Sequence, residues 1–302
     1  MMRNNIVTVL GGTGFVGRCV VKHLARAGYV VNAVSRTPEQ AGDLRVLGPV
    51  GKVVLSSGNI RDIDSIKPYL KASFAVIDLV GIMHESGKQK FTVIHAQAAE
   101  NLAKAAHAAG VEKFIFMSAL GVDKALDSRY ARSKLNGEKA VLEIFPNAYI
   151  VRPSIIFGPG DGFFGRFSRM AKISPVLPLI GGGESKFQPV YVEDVAEAFV
   201  KILGAERPRK IYEVAGPKTY SFRELLELML AEMRKERLLL PLLFPIAKLL
   251  SIFLQFFPGC PLTPDQVRLL KYDNVLSGKN GLELLGIKPH YLETVLPDIL
   301  LQ

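Results

Sequence analysis

The sequence predicts an α/β fold, in which a doubly wound parallel sheet carries a smaller, mostly helical C-terminal lobe. Short apolar runs alternate with helical patterns through the first half of the chain. Such alternation is typical of a parallel sheet with helices on both faces. A glycine-rich turn also joins the first predicted strand to the first predicted helix. After about Gly158, glycine and proline become frequent and the alternation ends, which indicates the second lobe.

The strands predicted in the first half are apolar runs of the length that buried strands have. In chain order they are IVTVL (6–10), YVVNAVS (29–35), KVVLSS (52–57), FAVIDLV (74–80), KFIFMS (113–118) and AYIVRPS (148–154). Helices are predicted between them at 15–27, at 91–110 and around Tyr130, and the first two end at a glycine. Asp127 or Ser128 is expected to cap the helix that carries Tyr130.

Two later elements are expected to return to the sheet. They are the helix VEDVAEAFVKIL (192–203) and the strand KIYEVAG (210–216). Two helices of the lobe are predicted to begin with a capping box, in which Ser or Thr is followed three residues later by Glu or Gln. The two boxes pair Ser221 with Glu224 and Thr263 with Gln266.

Composition places the chain among globular proteins, because 49% of its 302 residues are hydrophobic and 22% are charged. Its two cysteines, Cys19 and Cys260, cannot form a disulfide framework, which fits a reducing compartment. The five histidines show no metal-ligand spacing, so we predict no metal site. The first strand begins at Ile6, and we therefore expect no signal peptide.

The net charge of +10 favours a negatively charged partner. Nucleic acid, an anionic membrane surface and a phosphate-rich cofactor are the three possibilities. The basic residues are scattered, and their densest clusters are RPRK (207–210) and RKER (234–237). Because no longer basic run is present, nucleic acid is the least favoured of the three and we predict none.

A phosphate-binding turn is predicted at GGTGFVG, between the first strand and the first helix. Gly12, Gly14 and Gly17 have the G-x-G-x-x-G spacing of dinucleotide-binding folds. Glycine lets the backbone approach a pyrophosphate, and the helix N-terminus offers free N–H groups. The residues assigned to this turn are Gly11, Gly12, Thr13, Gly14, Phe15, Val16 and Gly17. The alternative is a glycine-rich turn that binds no ligand.

With this turn, the larger domain is predicted to be a dinucleotide-binding Rossmann domain. It comprises residues 1–158, with 190–216 returning to it, and the small C-terminal lobe comprises 159–189 and 217–302.

The end of the second strand indicates which dinucleotide is bound. An NAD-binding chain carries Asp or Glu there, about 20 residues after the turn, to accept from the ribose hydroxyl. This chain has Ser35 and Arg36 instead. Because a guanidinium can pair with a 2′-phosphate, NADP(H) is favoured, while NAD(H) is possible. The alternative is that Arg36 stacks on adenine or faces water.

Together these motifs resemble the short-chain dehydrogenase/reductase superfamily, in its extended or atypical branch. The resemblance covers most of the chain and includes the YxxxK spacing of Tyr130 and Lys134 in DSRYARSK. It also includes GNIRD (58–62), the residues after the fourth strand, RPSIIFGPGD (152–161) and QPVYVEDVA (188–196). The cofactor contacts that it implies in these segments are Asn59, Ile60, Leu79, Val80, Gly81, Pro153, Ser154 and Ile155.

Within that branch, the chain is similar to the group of dehydrogenase-like accessory subunits of respiratory complex I and their bacterial relatives. The segments that carry this similarity are KFIFMSALG, YARSKLNGEKAV and LTPDQVRLLKYDNVLSG. The resemblance implies tight binding of NADPH and a structural, non-catalytic function. It also implies complex I subunits as partners, and a cytoplasmic protein that is peripheral on the inner face of the cell membrane.

Tyr130, Lys134 and Ser118 are the candidate catalytic residues, and the same three are candidate cofactor contacts. The reference pKa of tyrosine is near 10, and a lysine ammonium beside the phenol would lower it. In this family a Ser or Thr after the fifth strand completes the site, but that position falls on Ala119 and Ser118 comes one residue early. Since adjacent residues of an extended chain point to opposite sides, we interpret the Tyr–Lys pair mainly as a cofactor contact.

The apolar segment LLLPLLFPIAKLLSIFLQFFP (238–258) contains a single charge. Its prolines argue against a transmembrane helix, and residues 246–257 would span only about 18 Å. Lys248, Ser251 and Gln255 are predicted to form a narrow polar stripe on this helix. Two interpretations remain: a helix in a membrane interface or against an apolar partner, or a helix buried in the lobe with its polar stripe outward. The resemblance favours the first, with peripheral contact through about 238–258.

The predicted function is therefore that of an NADP(H)-binding structural or assembly component at the membrane surface. The alternative is an active NAD(P)-dependent reductase, epimerase or dehydratase, in which Tyr130 acts on a carbonyl, sugar-nucleotide or quinone-like substrate. A regulatory nucleotide sensor is a third possibility that no sequence feature favours.

Overall fold

A computed structural model describes residues 5–205, 210–254 and 262–300 of the chain. Its strands are β1 (Ile6–Leu10), β2 (Val30–Ser35), β3 (Val53–Ser57), β4 (Ala75–Asp78), β5 (Lys113–Met117), β6 (Tyr149–Pro153), β7 (Ile156–Phe157), β8 (Val176–Ile180), β9 (Lys186–Phe187), β10 (Val190–Tyr191), β11 (Ile211–Val214), β12 (Tyr220–Ser221) and β13 (Leu238–Leu242). Its helices are α1 (Phe15–Arg26), α2 (Lys67–Leu70), α3 (Ala98–Ala108), α4 (Arg129–Ile144), α5 (Phe164–Ile173), α6 (Val192–Gly204), α7 (Phe222–Glu232), α8 (Phe244–Leu254), α9 (Pro264–Leu269), α10 (Gly281–Leu284) and α11 (Leu292–Leu300).

The central sheet has seven parallel strands in the order β11-β6-β5-β4-β1-β2-β3. This order confirms the predicted doubly wound sheet, including the returning strand β11 at its edge. The seven strands predicted from the sequence are all present, and their ends differ from the predictions by no more than two residues. The order reverses between β1 and β4, and at such a point the strand ends leave a crevice.

Apolar side chains fill the space between the sheet and the helices on each face. On one face, Val7 and Val9 of β1 pack with Val20 and Leu24 of α1 and with Phe199 of α6. On the other face, side chains of the sheet pack against the helices α3 and α4. The predicted helix at 91–110 begins with a π-helical segment, Thr92–Gln97, before α3.

Outside the central sheet, three two-stranded ladders pair β7 with β10, β8 with β13 and β9 with β12. Both predicted capping boxes are present, at the start of α7 and at the start of α9. Leu282 and Ile287 belong to the predicted lobe by their place in the chain, but they pack in the core of the sheet domain. The division of the chain at residue 158 stays a prediction.

The apolar segment has a conformation that its pattern did not predict. Its first part is strand β13, which pairs with β8, and its second part is helix α8. Ser251, predicted to lie on an outward polar stripe, is instead fully buried, and its hydroxyl donates to the carbonyl oxygen of Lys248. The interpretation of a buried helix is therefore wrong, because the apolar side chains of α8 point outward.

Several predicted features lie outside the described residues. They are Gln255 and the end of the apolar segment, Cys260, and residues 207–209 of the cluster RPRK. In the part of the chain that the structure covers, no helix is long and apolar enough to cross a membrane.

Candidate functional site

The glycine-rich turn leaves β1 and begins α1 at the point where the strand order reverses. Gly11 has φ +77°, a backbone conformation that glycine adopts without strain. A Cβ atom on Gly17 would lie 2.1 Å from the carbonyl oxygen of Gly11, so only glycine allows this close packing. In α1, which is fully described, no side chain caps the N-terminus and the first turn has no acidic residue. Its free N–H groups are therefore available to an anion.

A cavity of about 290 Å³ lies beside this turn, at the carboxyl ends of β1, β2, β3 and β4. Ten predicted cofactor contacts line it: Gly11, Thr13, Gly14, Ser35, Arg36, Asn59, Ile60, Leu79, Val80 and Gly81. Residues that the sequence analysis did not single out also line it: Leu10, Val34, Thr37, Gly58, Arg61, Ile82, Gln89 and Ile94. The structure thus brings together four separate segments of the chain in which cofactor contacts were predicted.

The other predicted residues of the turn lie outside this cavity lining. A Cβ on Gly12 would be 3.0 Å from the Cβ of Ala33, so Gly12 lies against β2. Val16 packs against the core of the sheet domain, and the Phe15 ring lies near Gly158. These residues hold the shape of the turn.

Two arginines, Arg36 and Arg61, line the end of the cavity where β2 and β3 terminate. Both side chains are exposed, and within the described residues neither guanidinium has a partner. No acidic residue is present among the described residues that line the cavity. This end of the cavity therefore attracts an anionic group, which only Arg36 had indicated in the sequence.

Three buried polar atoms of the described residues have no hydrogen-bond partner. They are Ser35 Oγ, Asp78 Oδ2 and Ser118 Oγ. Buried polar groups are almost always hydrogen-bonded, and of these three residues Ser35 lines the cavity, where its hydroxyl is available to a polar ligand. Together with the glycine turn and the two arginines, this hydroxyl fits a dinucleotide cofactor.

Lys134 is buried beside Gly81, a residue of the cavity lining. Its Nζ donates to the carbonyl oxygen of Met117 at 2.9 Å, and it would lie 3.4 Å from a Cβ placed on Gly81. Burial lowers the pKa of Lys134 to about 8, while the carboxylates of Asp78 and Glu138 act in the opposite direction.

Asp78 is a buried acid that the sequence analysis did not single out. Burial raises its pKa to about 6, although the backbone N–H of Val80 and the charge of Lys134 oppose the shift. Its position at the last residue of β4 was visible in the sequence, but its burial was not. Asp78 and Lys134 therefore place opposite charges beside the loop after β4.

Tyr130 precedes Lys134 by one turn of α4, and Ser128 caps this helix as predicted. The Tyr130 ring lies edge-on to the rings of Phe91 and His95, with centroids 5.8 Å and 5.3 Å away. Burial raises the pKa of Tyr130 to about 12. This direction is opposite to the lowering expected from a lysine ammonium, so the phenol stays protonated at neutral pH.

His95 organises the loop after β4, which its sequence context did not indicate. Its Nε2 accepts from the backbone N–H of Ile82 at 3.0 Å, and its Nδ1 therefore donates to Ser133 Oγ at 2.8 Å. Burial and the nearby charge of Lys134 lower the pKa of His95 to about 2, which keeps the ring neutral. The ring is fully buried.

The predicted contacts after β6 are held by the C-terminal lobe. Ser154 Oγ donates to Asn274 Oδ1 at 2.6 Å, and the backbone N–H of Ile155 donates to the same oxygen at 3.0 Å. Pro153 accepts from the backbone N–H of Leu120. In the structure these three residues face partners within the chain, and their contact with a cofactor stays a prediction.

The described part of the chain contains no group of three or more His, Cys, Asp or Glu side chains that could hold a metal ion.

Comparisons with known proteins show the family to which the chain is similar. The sequence profile of the NAD dependent epimerase/dehydratase family matches residues 7–215. The Arabidopsis thaliana protein named NADH dehydrogenase (ubiquinone) 1 alpha subcomplex subunit 9, mitochondrial, is 35% identical over 98% of this chain and 77% of its own length. The Mus musculus protein of the same name is 33% identical over 95% of this chain and 78% of its length.

The solved structures that the chain resembles have the same fold. A triphenylmethane reductase from Citrobacter has a TM-score of 0.79 and 19% sequence identity. The superposition covers 98% of this chain and 99% of the reductase.

Proposed function

The chain belongs to the NAD dependent epimerase/dehydratase family, and we propose that it binds NADP(H) as a structural or assembly component associated with respiratory complex I. The observation that carries this proposal is the cavity, which joins an uncapped helix N-terminus to two arginines that have no partner among the described residues. The relatives named as NADH dehydrogenase subunits match nearly the whole chain and support the association.

NADP(H) is the dinucleotide that the cavity favours. A pyrophosphate at the glycine turn would meet the N-terminus of α1, and the adenosine would then extend toward Arg36 and Arg61. Two guanidiniums beside the ribose favour a 2′-phosphate, and the carboxylate that would favour a free hydroxyl is not among the described lining residues. Lys134 lies beside Gly81 of the cavity lining, and we infer that it donates to the second ribose.

A structural function is supported by the state of the Tyr–Lys pair. The pKa of Tyr130 is raised to about 12, which makes the phenol a poor proton donor and acceptor at neutral pH. Lys134 is engaged with the carbonyl oxygen of Met117. A tightly bound nucleotide would stabilise the fold in any case, because it binds the native state and not the unfolded chain.

An active NAD(P)-dependent reductase, epimerase or dehydratase is the second candidate. It is favoured by Ser118, whose hydroxyl is buried without a partner after β5 and is free to donate to a substrate oxygen. Tyr130 would then need a pKa well below its value in this structure.

Peripheral contact with the inner face of the cytoplasmic membrane is the proposed location. Leu243, Leu249 and Phe253 have 67%, 58% and 62% of their surface exposed, and other apolar side chains of β13 and α8 are exposed beside them. Patches of this kind mark interaction sites. The basic cluster RKER at 234–237 precedes β13, and the exposed Lys248 lies on α8. Apolar and cationic groups side by side suit an anionic lipid surface.

The first experiment is to capture the protein from source-cell membranes in mild detergent and to identify its partners and bound nucleotide by mass spectrometry. Complex I subunits with stoichiometric NADPH are the expected result. A solitary, readily soluble protein without nucleotide would contradict the proposal and would support the enzymatic candidate.

A second experiment tests the membrane contact on the purified protein. The variant Leu249→Asp/Phe253→Asp is expected to lose co-sedimentation with vesicles that contain anionic lipid, because each carboxylate would have to enter the lipid surface. Leu284→Asp is the matched control, since Leu284 is exposed on α10, outside the patch. Equal binding by both variants would place the membrane contact elsewhere.

A further inference from the structure

The C-terminal lobe reaches into the candidate site through one short segment. This strap, residues 263–274, contains α9 and ends beside the carboxyl ends of β5 and β6. It belongs to the sequence run that begins LTPDQVRLL. Asp265 near one end and Asn274 at the other both contact the sheet domain.

At its first end, the strap supplies a carboxylate to the N-terminus of α4. Asp265 accepts three hydrogen bonds from the start of α4, namely from Ser128 Oγ at 2.8 Å, from the backbone N–H of Arg129 at 2.8 Å and from that of Tyr130 at 2.9 Å. Its side chain is nearly buried, and Arg268 donates to it at 3.2 Å. A carboxylate at a helix N-terminus satisfies N–H groups that the helix itself leaves free and interacts favourably with the helix dipole.

This contact fixes the part of α4 that carries the candidate cofactor ligands. Tyr130 is itself one of the donors to Asp265, and Lys134 follows one turn later. The next turn of α4 is pressed against the segment before α3, because a Cβ on Gly137 would lie 2.0 Å from the carbonyl oxygen of His95. Asp265 and Gly137 thus hold α4 on both sides of Lys134.

At its other end, the strap joins the loops after β5 and β6. Asn274 Nδ2 donates to the carbonyl oxygen of Leu120 at 2.9 Å. Its Oδ1 accepts from Ser154 Oγ and from the backbone N–H of Ile155. One side chain therefore sets the spacing of the two loops that flank Ser118 and the predicted nicotinamide contacts.

We propose that Asp265 and Asn274 are positioning residues, through which the C-terminal lobe holds the nicotinamide half of the cofactor site in shape. This inference rests on the proposed binding of NADP(H). The adenosine half does not depend on the strap, because the described lining around Arg36 and Arg61 comes from the loops after β1 to β4.

The test compares a whole ligand with half of it. NADPH would contact both halves of the site, whereas 2′,5′-ADP carries only the adenosine and its phosphates.

Two variants of Asp265 weaken its contact with α4 to different extents. In Asp265→Asn, the amide nitrogen faces an N–H donor, so one hydrogen bond to α4 is lost. Asp265→Ala removes all three hydrogen bonds to α4. We expect the Kd for NADPH, measured by calorimetry on the full chain, to rise about ten-fold in Asp265→Ala, which corresponds to ~1.4 kcal/mol. The Kd for 2′,5′-ADP should stay within about two-fold, because its contacts are not touched.

Thr263→Ala is the matched control. Thr263 caps α9 itself and its side chain bonds only within that helix, so its loss weakens α9 without removing a contact to α4. We expect this variant to leave the ratio of the two Kd values unchanged. The milder Asp265→Asn keeps the comparison valid if Asp265→Ala fails to fold.

Other outcomes overturn the proposal. Equal weakening of NADPH and 2′,5′-ADP would mean that Asp265 supports the fold as a whole, and unchanged binding of both would mean that α4 keeps its place without it. A wild-type chain that binds neither ligand would refute the proposed function itself. A wild-type chain that binds both, with an unaltered ratio in the variants, would refute only the positioning by the strap.

Discussion

If the chain prefers NADPH as proposed, removal of the two cavity arginines should abolish its discrimination between NADPH and NADH. Arg36 and Arg61 line the same end of the cavity and have no partner among the described residues. Their charge is therefore available to a ligand. Since NADH lacks the 2′-phosphate, the two arginines should act on NADPH alone.

The magnitude follows from the exposure of both side chains. A hydrogen bond to a charged group contributes ~1.5–3 kcal/mol when it is sheltered from water. Arg36 and Arg61 are both exposed, so solvent screening reduces this to ~1 kcal/mol each. Each single Ala variant should weaken NADPH binding roughly five-fold, and the double variant roughly 25-fold if the effects add.

Calorimetric titration with NADPH and with NADH measures both affinities on the same preparation. Arg45→Ala is the control, because Arg45 is exposed in the neighbouring segment at 38–46 but does not line the cavity. The preference of the wild type should also shrink as salt is raised, since exposed charges are screened. A double variant with the same preference as the wild type, or a wild type that prefers NADH, would refute the argument.

Three further predictions concern single residues. Tyr130→Phe should change the Kd for NADPH by less than about two-fold and should leave cell respiration unchanged; a respiratory defect would restore the catalytic alternative. Gly17→Ala should lower the free energy of unfolding by ~3 kcal/mol or more, because the new Cβ would lie 2.1 Å from the Gly11 carbonyl oxygen. Gly42 has open space around it, so Gly42→Ala should change this free energy little. Urea unfolding of the two variants measures the difference. His95 stays neutral in the native state because burial lowers its pKa to about 2, whereas in the unfolded chain it takes up a proton below pH ~6.5. This residue should therefore cost ~1.4 kcal/mol of stability per pH unit as pH falls from 6.5 to 4.5. The free energy of unfolding of His95→Gln should depend correspondingly less on pH.

The features that the sequence predicted well depend on neighbours in the chain. The glycine turn, the strand before it and the helix after it occupy one short stretch, and both capping boxes span only four residues. Backbone geometry within such a stretch follows from local sterics and hydrogen bonding, so the residue types are enough. The parallel sheet was predictable for a related reason, because strands that alternate with helices can pair in only a few ways.

The residues that the sequence analysis missed depend on where distant segments meet. Arg61 follows two predicted contacts in the chain, yet its place at the cavity depends on the path of the loop after β3. The pKa of Asp78 is raised and that of His95 is lowered because the fold buries both side chains. The strap that holds α4 lies more than a hundred residues further along the chain, and no periodicity connects the two.

The sequence by itself determined the doubly wound sheet, the glycine-rich turn and three further segments around the cavity. Only the tertiary structure decided which face of the apolar helix α8 is exposed and in which direction the pKa of Tyr130 shifts. Periodicity identifies two faces of a helix, but which face is covered depends on its neighbours, and here Ala247 and Ser251 are the covered residues. In the same way, the spacing of Tyr130 and Lys134 fixed their separation along α4, while desolvation, a property of everything packed around them, set the direction of both pKa shifts.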